Sequence, residues 1–244
     1  MRNYKEEFEQ RVAFIKEVLA ESGARGIVFG NSGGKDSALV GILSKAACPD
    51  TVGVIMPCAS KRNFGEDADD GRALAEQYGI ETRVIDLTPV REAEIRQLGG
   101  AEGLNAAALA NIAPRLRMTT LYAVAANEGR LVAGTGNRDE TYVGYFTKWG
   151  DGAHDFNPIS DLTVGEVYDF LRYLGAPASI IEKAPSAGLF EGQTDEAEMG
   201  IRYADIDRYL LTGETESAEV LAKIEKMHRR SAHKRAGIRR FREV

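Results

Sequence analysis

The chain has 244 residues, a length that suits one domain built around a continuous core. With 43% hydrophobic and 28% charged residues and a net charge of −6, it reads as an ordinary soluble globular protein and not as a fibrous, disordered or membrane chain. Charges interrupt every apolar stretch of the N-terminal segment, so it is neither a signal peptide nor a membrane span, and a cytoplasmic location is expected.

Taken in chain order, Tyr4, Phe8, Val12, Ile15 and Leu19 recur every three or four residues, which predicts a helix with one apolar stripe. The near-continuous apolar runs GIVFG (26–30), TVGVIM (51–56), ETRVIDL (81–87) and RLVAGT (130–135) predict strands buried on both faces. Helical patterns lie between them at 36–47, at 67–78 and from 104 to 127, the last with an expected interruption at Pro114. Strand–helix alternation predicts an α/β fold, a doubly wound parallel sheet flanked by helices. Past residue 135 the strand signal stops: a loop rich in glycine and charge (144–156) leads into a helical C-terminal part with helices near 164–174, 195–210 and 216–235. No linker or repeat divides the chain, so residues 1–244 are expected to form a single domain.

Cys48 and Cys58 form no CxxC and have no histidine cluster nearby, so they read as buried thiols. From residue 223 onward nine Lys and Arg stand against two Glu, which makes the tail +7 and leaves −13 on the first 222 residues. A basic tail fits nucleic acid, a phosphorylated ligand or a solvated helix face, and charge alone does not choose.

In parallel sheets of this kind ligands bind at the carboxyl ends of the strands. The turn there after the first strand is Gly30-Asn31-Ser32-Gly33-Gly34, followed by a helix from Lys35 or Asp36. Glycines let the backbone approach a phosphate, the helix N-terminus offers unpaired N–H groups, and Ser32 and Ser37 add hydroxyls. Walker A is excluded, because Asp36 stands where that motif needs Ser or Thr directly after Gly-Lys. An aspartate beside a phosphate repels it unless a divalent cation intervenes, so Asp36 predicts Mg2+.

The string Ser32–Ser37, SGGKDS, resembles the signature of the ATP pyrophosphatases, whose members release AMP and pyrophosphate while adenylating a substrate. Residues 131–155, LVAGTGNRDETYVGYFTKWGDGAHD, narrow the resemblance to the ammonia-dependent NAD synthetases, and PISDL, KAPSAGL, GQTDE and AHKR match further on in the same order. The resemblance implies ATP, deamido-NAD and ammonia as substrates, Mg2+ as metal, and a homodimer, with no role for nucleic acid or a membrane. It places Gly30, Ser32, Gly33, Gly34, Lys35, Asp36, Ser37, Thr135 and Ser186 on ATP. It places Asp36 and Glu140 on the metal, and Arg115, Lys148, Asp155, His233 and Lys234 on the dinucleotide. Asp151, in the Gly-Asp-Gly turn, is the candidate that receives ammonium.

The reaction asks for such residues independently. A carboxylate approaching the α-phosphate of ATP brings anions together, which a metal on Asp36 and Glu140 and the nearby Lys35 and Lys148 would neutralise. No protein nucleophile is needed. The tail from about residue 216 is expected to act as a mobile lid. Four positions depart from the family pattern: Val164 replaces a lysine that reaches ATP phosphate in many relatives, Ser186 replaces a threonine, and Asn31 and His154 replace small or apolar residues. Competing readings are another adenylating enzyme of the group, a non-catalytic nucleotide-binding module, and an RNA-binding tail.

Overall fold

In a computed structural model, which describes residues 2–183 and 194–241, the chain forms a four-stranded parallel sheet with helices on both faces. The first elements are α1 (Tyr4–Ser22), β1 (Gly26–Gly30), α2 (Lys35–Ala47), β2 (Thr51–Ile55), α3 (Lys61–Phe64), α4 (Glu66–Tyr78), β3 (Glu81–Val84) and α5 (Thr88–Gln97). They are followed by α6 (Ala106–Glu128), β4 (Arg130–Ala133) and α7 (Arg138–Val143). The helical C-terminal part comprises α8 (Val164–Leu174), α9 (Ala178–Ile181), α10 (Asp195–Met199), α11 (Tyr203–Thr212), α12 (Ala218–Arg230) and α13 (Ala232–Arg235).

The sheet order is β3-β2-β1-β4, with Ile27 opposite Thr51 and Leu131 and with Val52 opposite Glu81. β1 is central, and alternation sends its side chains to opposite faces. Ile27 and Phe29 enter one core with residues of α1, α2 and α8. Val28 enters the other with Val52, Val54 and residues of α6. A third cluster joins Val143 and Val164 to Ile201, Tyr203, Ile206 and Ile224. Because α8 supplies Val167, Phe170 and Leu171 to the first core and Val164 to the third, the helical part continues the core of the sheet.

Three differences from expectation have local causes. β2 and β4 end before residues 56 and 135, where the chain turns to line the cleft described below, and β3 ends at Val84 although the Ile85 and Leu87 amides still donate to the Ile55 and Pro57 carbonyls. α6 runs through Pro114 unbroken; the missing N–H costs one bond, but the ring is buried in the cleft wall beside Gly150. The expected single helix from 195 to 210 is two helices, α10 and α11, separated at Gly200 with φ +66°.

Candidate active site

The carboxyl ends of β1, β2 and β4 open into a cleft of roughly 470 Å3. Its floor is the glycine turn. Gly33 has φ +71°, and a Cβ there would lie 2.1 Å from the carbonyl oxygen of Asp67, so only glycine lets α4 approach this closely. Gly34 is the extended N-cap of α2. Ser32 Oγ and Ser37 Oγ lie 3.0 Å apart, Gly34 N–H donates to Ser32 Oγ, and Ser37 Oγ donates to the Gly34 carbonyl. The turn is thus held by its own hydroxyls.

Lys35 is buried, and its Nζ donates to Asp36 Oδ2 at 2.7 Å while lying 5.5 Å from the Tyr203 ring centroid and 5.9 Å from that of Tyr168. Burial works against its charge, but Asp36 and Glu140 outweigh that effect and its pKa is raised. Asp36 Oδ1 accepts from Asn137 Nδ2 at 3.1 Å. Asn137 also caps α7 by accepting from Glu140 N–H, while its own N–H donates to Glu140 Oε2. One asparagine therefore holds both candidate metal carboxylates. Desolvation and the neighbouring Asp36 push the Glu140 carboxyl well above its usual range, the response of two like charges kept close together.

The other wall comes from residues 144–153 and α6. Asp151 Oδ1 accepts from Thr147 N–H at 3.0 Å. Although open to the cleft, Asp151 is crowded by protein, and the resulting desolvation raises its pKa against the opposing pull of the Thr147 amide and Lys234. Lys234 Nζ donates to the carbonyls of Gly144 (2.7 Å) and Phe146 (2.6 Å), which brings the tail into the cleft. The His154 ring fills the space where a Gly134 side chain would sit, 2.4 Å from its Cβ position. Burial lowers its pKa.

Of the residues expected to bind ATP, Gly30, Ser32, Gly34, Lys35, Asp36, Ser37 and Thr135 line the cleft, as do Glu140, Asp151 and Lys234. Gly33 supports the turn from below, against Asp67. Ser186 lies outside the described residues. Arg115, Lys148, Asp155 and His233 stand outside the cleft lining. Arg115 is exposed with Nη2 3.4 Å from the Lys148 carbonyl, and Lys148 Nζ donates to the His233 carbonyl at 2.6 Å. Asp155 accepts from Tyr122 Oη and from the Val132 amide. These four lie on an outer rim extending along α6.

Three residues of the site, the buried Asn137 and the cleft-lining Arg117 and Lys183, were given no role by the sequence reading. Asn137 was detectable, because Asn-x-x-Glu is a capping-box spacing. Arg117 lies two positions after Arg115, so a helix turns it the other way, into the cleft. There its Nε donates to the Met56 carbonyl and its Nη2 to Asn63 Oδ1, and burial lowers its pKa. Lys183 opens the KAPSAGL motif, but its reach across the fold to α4 is a long-range pairing that the motif does not announce.

A family model described as NAD synthase matches residues 7–237. An NH(3)-dependent NAD(+) synthetase of Carboxydothermus hydrogenoformans is 51% identical, with 96% of each chain covered. Among solved structures, an NMN synthetase from Francisella tularensis superposes with a TM-score of 0.92 at 38% identity, covering 98% of this chain and 99% of that one. An NH3-dependent NAD synthetase from Campylobacter jejuni, in complex with nitrate, gives 0.80 at 29% identity, covering 99% and 100%.

Proposed function

Because this chain belongs to the NAD synthase family, we propose that its cleft adenylates the nicotinate carboxylate of deamido-NAD with ATP and hands the product to ammonia. The observation that carries this reading is the pairing of Asp36 with Glu140 through Asn137 at the mouth of the glycine turn. A carboxylate oxygen of the substrate attacks the α-phosphorus and the bond to pyrophosphate breaks. Ammonia then attacks the acyl carbon, AMP leaves with its electron pair, and NAD forms.

Each part of the cleft has a task in this scheme. The α2 N-terminus and the hydroxyls of Ser32 and Ser37 receive phosphate oxygens. Lys35, fixed between Asp36 and two rings, supplies positive charge that needs no rearrangement as the pyrophosphate leaves. Two carboxylates and phosphate oxygens form a hard-oxygen donor set that fits Mg2+, and Asp36 and Glu140 are the residues that would hold it. When bound, it would neutralise the charge developing on the phosphates. Asp151 attracts ammonium and accepts the proton that makes it a nucleophile, a role its raised pKa favours. Lys234 in the cleft and Arg115, Lys148, Asp155 and His233 along the rim hold the dinucleotide.

The resemblance to this family implies a homodimer. No helix among the described residues is long and apolar enough to cross a membrane.

The deciding experiment mixes purified protein with ATP, Mg2+, deamido-NAD and ammonium. NAD, AMP and pyrophosphate should appear in equal amounts; ADP and phosphate would overturn the reading. A second acceptor has one observation behind it, the 0.92 superposition on a protein described as NMN synthetase. Nicotinate mononucleotide belongs in the same assay, and the higher kcat/KM identifies the acceptor.

A further inference from the structure

Carboxylates outnumber cations along the cleft, although its proposed ligand is a polyanion. Several of the cations are committed elsewhere. Lys35 is bound to Asp36, Lys234 donates to the carbonyls of Gly144 and Phe146, and Arg117 donates to the Met56 carbonyl just after β2. Val164, at the start of α8, is buried in the third cluster and offers no charge.

Lys183 differs. Its carbonyl accepts from Tyr168 Oη at 2.8 Å, which pins its backbone to α8 beside Lys35. Lys183 lines the cleft, and its Nζ donates to Asp67 Oδ1 and Asp70 Oδ2, both at 2.7 Å. Asp67 is the residue whose carbonyl touches Gly33, so this ammonium sits beside the phosphate turn. An ammonium has three donors, and among the described residues two of them are used.

On the basis of the ATP reading above, we propose that Lys183 is a further phosphate-binding residue, which gives up part of its Asp67–Asp70 pairing to contact the terminal phosphates of ATP and then the departing pyrophosphate. Asp67 and Asp70 keep the ammonium charged and aimed while the cleft is empty. They also offset its attraction for anions, so the contact strengthens only when a phosphate competes for the third donor. The exchange breaks no covalent bond and moves no proton.

Calorimetry on the full-length protein with Mg2+ tests this, using pyrophosphate and AMP as separate probes. Lys183→Gln should weaken pyrophosphate binding roughly tenfold, the scale of one charge-assisted hydrogen bond, and leave AMP within about twofold. Lys183→Arg should restore most of the loss. Asp70→Asn should bind pyrophosphate at least as well as the parent, because it releases the lysine. A merely structural bridge predicts the reverse: Asp70→Asn would mimic Lys183→Gln, and AMP would weaken alongside pyrophosphate. Either of those results, or unchanged pyrophosphate affinity in Lys183→Gln, overturns the proposal. A parent protein that binds neither probe would instead overturn the ATP reading on which it rests.

Discussion

Asn137 joins two side chains that chemistry needs together. By accepting from Glu140 N–H and donating to Asp36 Oδ1, it fixes the start of α7 against the start of α2. Asp36→Asn and Glu140→Gln keep side-chain volume and most of these bonds, so both variants should melt within a few degrees of the parent. Their kcat should fall by roughly 10²-fold or more, the usual cost of losing charge stabilisation in a reacting site. A variant that kept near-parental kcat at limiting Mg2+ would show that its residue is not a metal ligand. Asp151 is testable in a different parameter. Asp151→Asn should raise the KM for ammonium while adenylation, followed by pyrophosphate release, continues. An unchanged ammonium KM would remove Asp151 from this role. The sequence pointed to all three carboxylates because each lies in a motif with distinctive spacing. It did not single out Asn137, which reads locally as an ordinary cap.

At the scale of elements, the position of α7 depends on a buried acid pair. Asp139 Oδ2 accepts from the Val164 amide and Asp207 Oδ2 from the Gly165 amide, so both carboxylates meet the first turn of α8. Desolvation, and then the neighbouring Asp207, raise the Asp139 pKa from 3.8 to about 8. The native state thus holds a proton that the unfolded chain has released above pH 4. This contribution to stability is complete below the unfolded value and disappears as pH rises through about 8. Asp139→Asn replaces the titrating group with a permanently neutral donor. Melting temperatures should fall with pH between about 5 and 8 in the parent and fall less in the variant; parallel curves would mean that the pair does not control this slope. The sequence showed α7 only as polar residues between a strand and a loop. Three elements that meet at one buried proton are distant in sequence, and no periodicity reports them.

For the whole molecule, the tail is the part whose behaviour matters most. The expected lid begins as a docked helix pair. His228 stacks on Tyr142 with ring centroids 4.1 Å apart, Ser231 Oγ donates to the Val143 carbonyl, and Arg235 Nη1 donates to that of Tyr142. A Cβ on Gly144, which has φ +75°, would lie 2.0 Å from Ser231 Cβ, so the close fit requires that glycine. The described residues from 237 to 241 are exposed. Removing residues from 231 onward should therefore weaken dinucleotide binding, because Lys234 no longer braces residues 144 and 146. It should also raise the amount of adenylate lost to water for each NAD formed. Limited trypsin digestion of the free protein should cut at Arg239 and Arg240 before Arg229 or Lys234, and both substrates together should slow the cut. Cleavage that ignores the substrates but is blocked by RNA would favour a nucleic-acid role for the +7 tail.

The parallel sheet, the glycine turn and the family were legible in the sequence, because each is written in neighbouring residues: apolar runs of strand length, glycines before a helix, and motifs in fixed order. Short-range chemistry also pointed to Asp36, whereas Glu140 and Asp151 were reached through the family's motifs. Only the tertiary structure decided which charged groups share the cleft. Lys183 and Asp67 are 116 positions apart, and Asp36 and Asn137 are 101 apart. It likewise turned Arg117 inward and left Arg115 on the rim, docked the tail on α7, and carried α6 through its proline. Burial and long-range pairing depend on how completed elements pack, and one-dimensional spacing does not encode that packing.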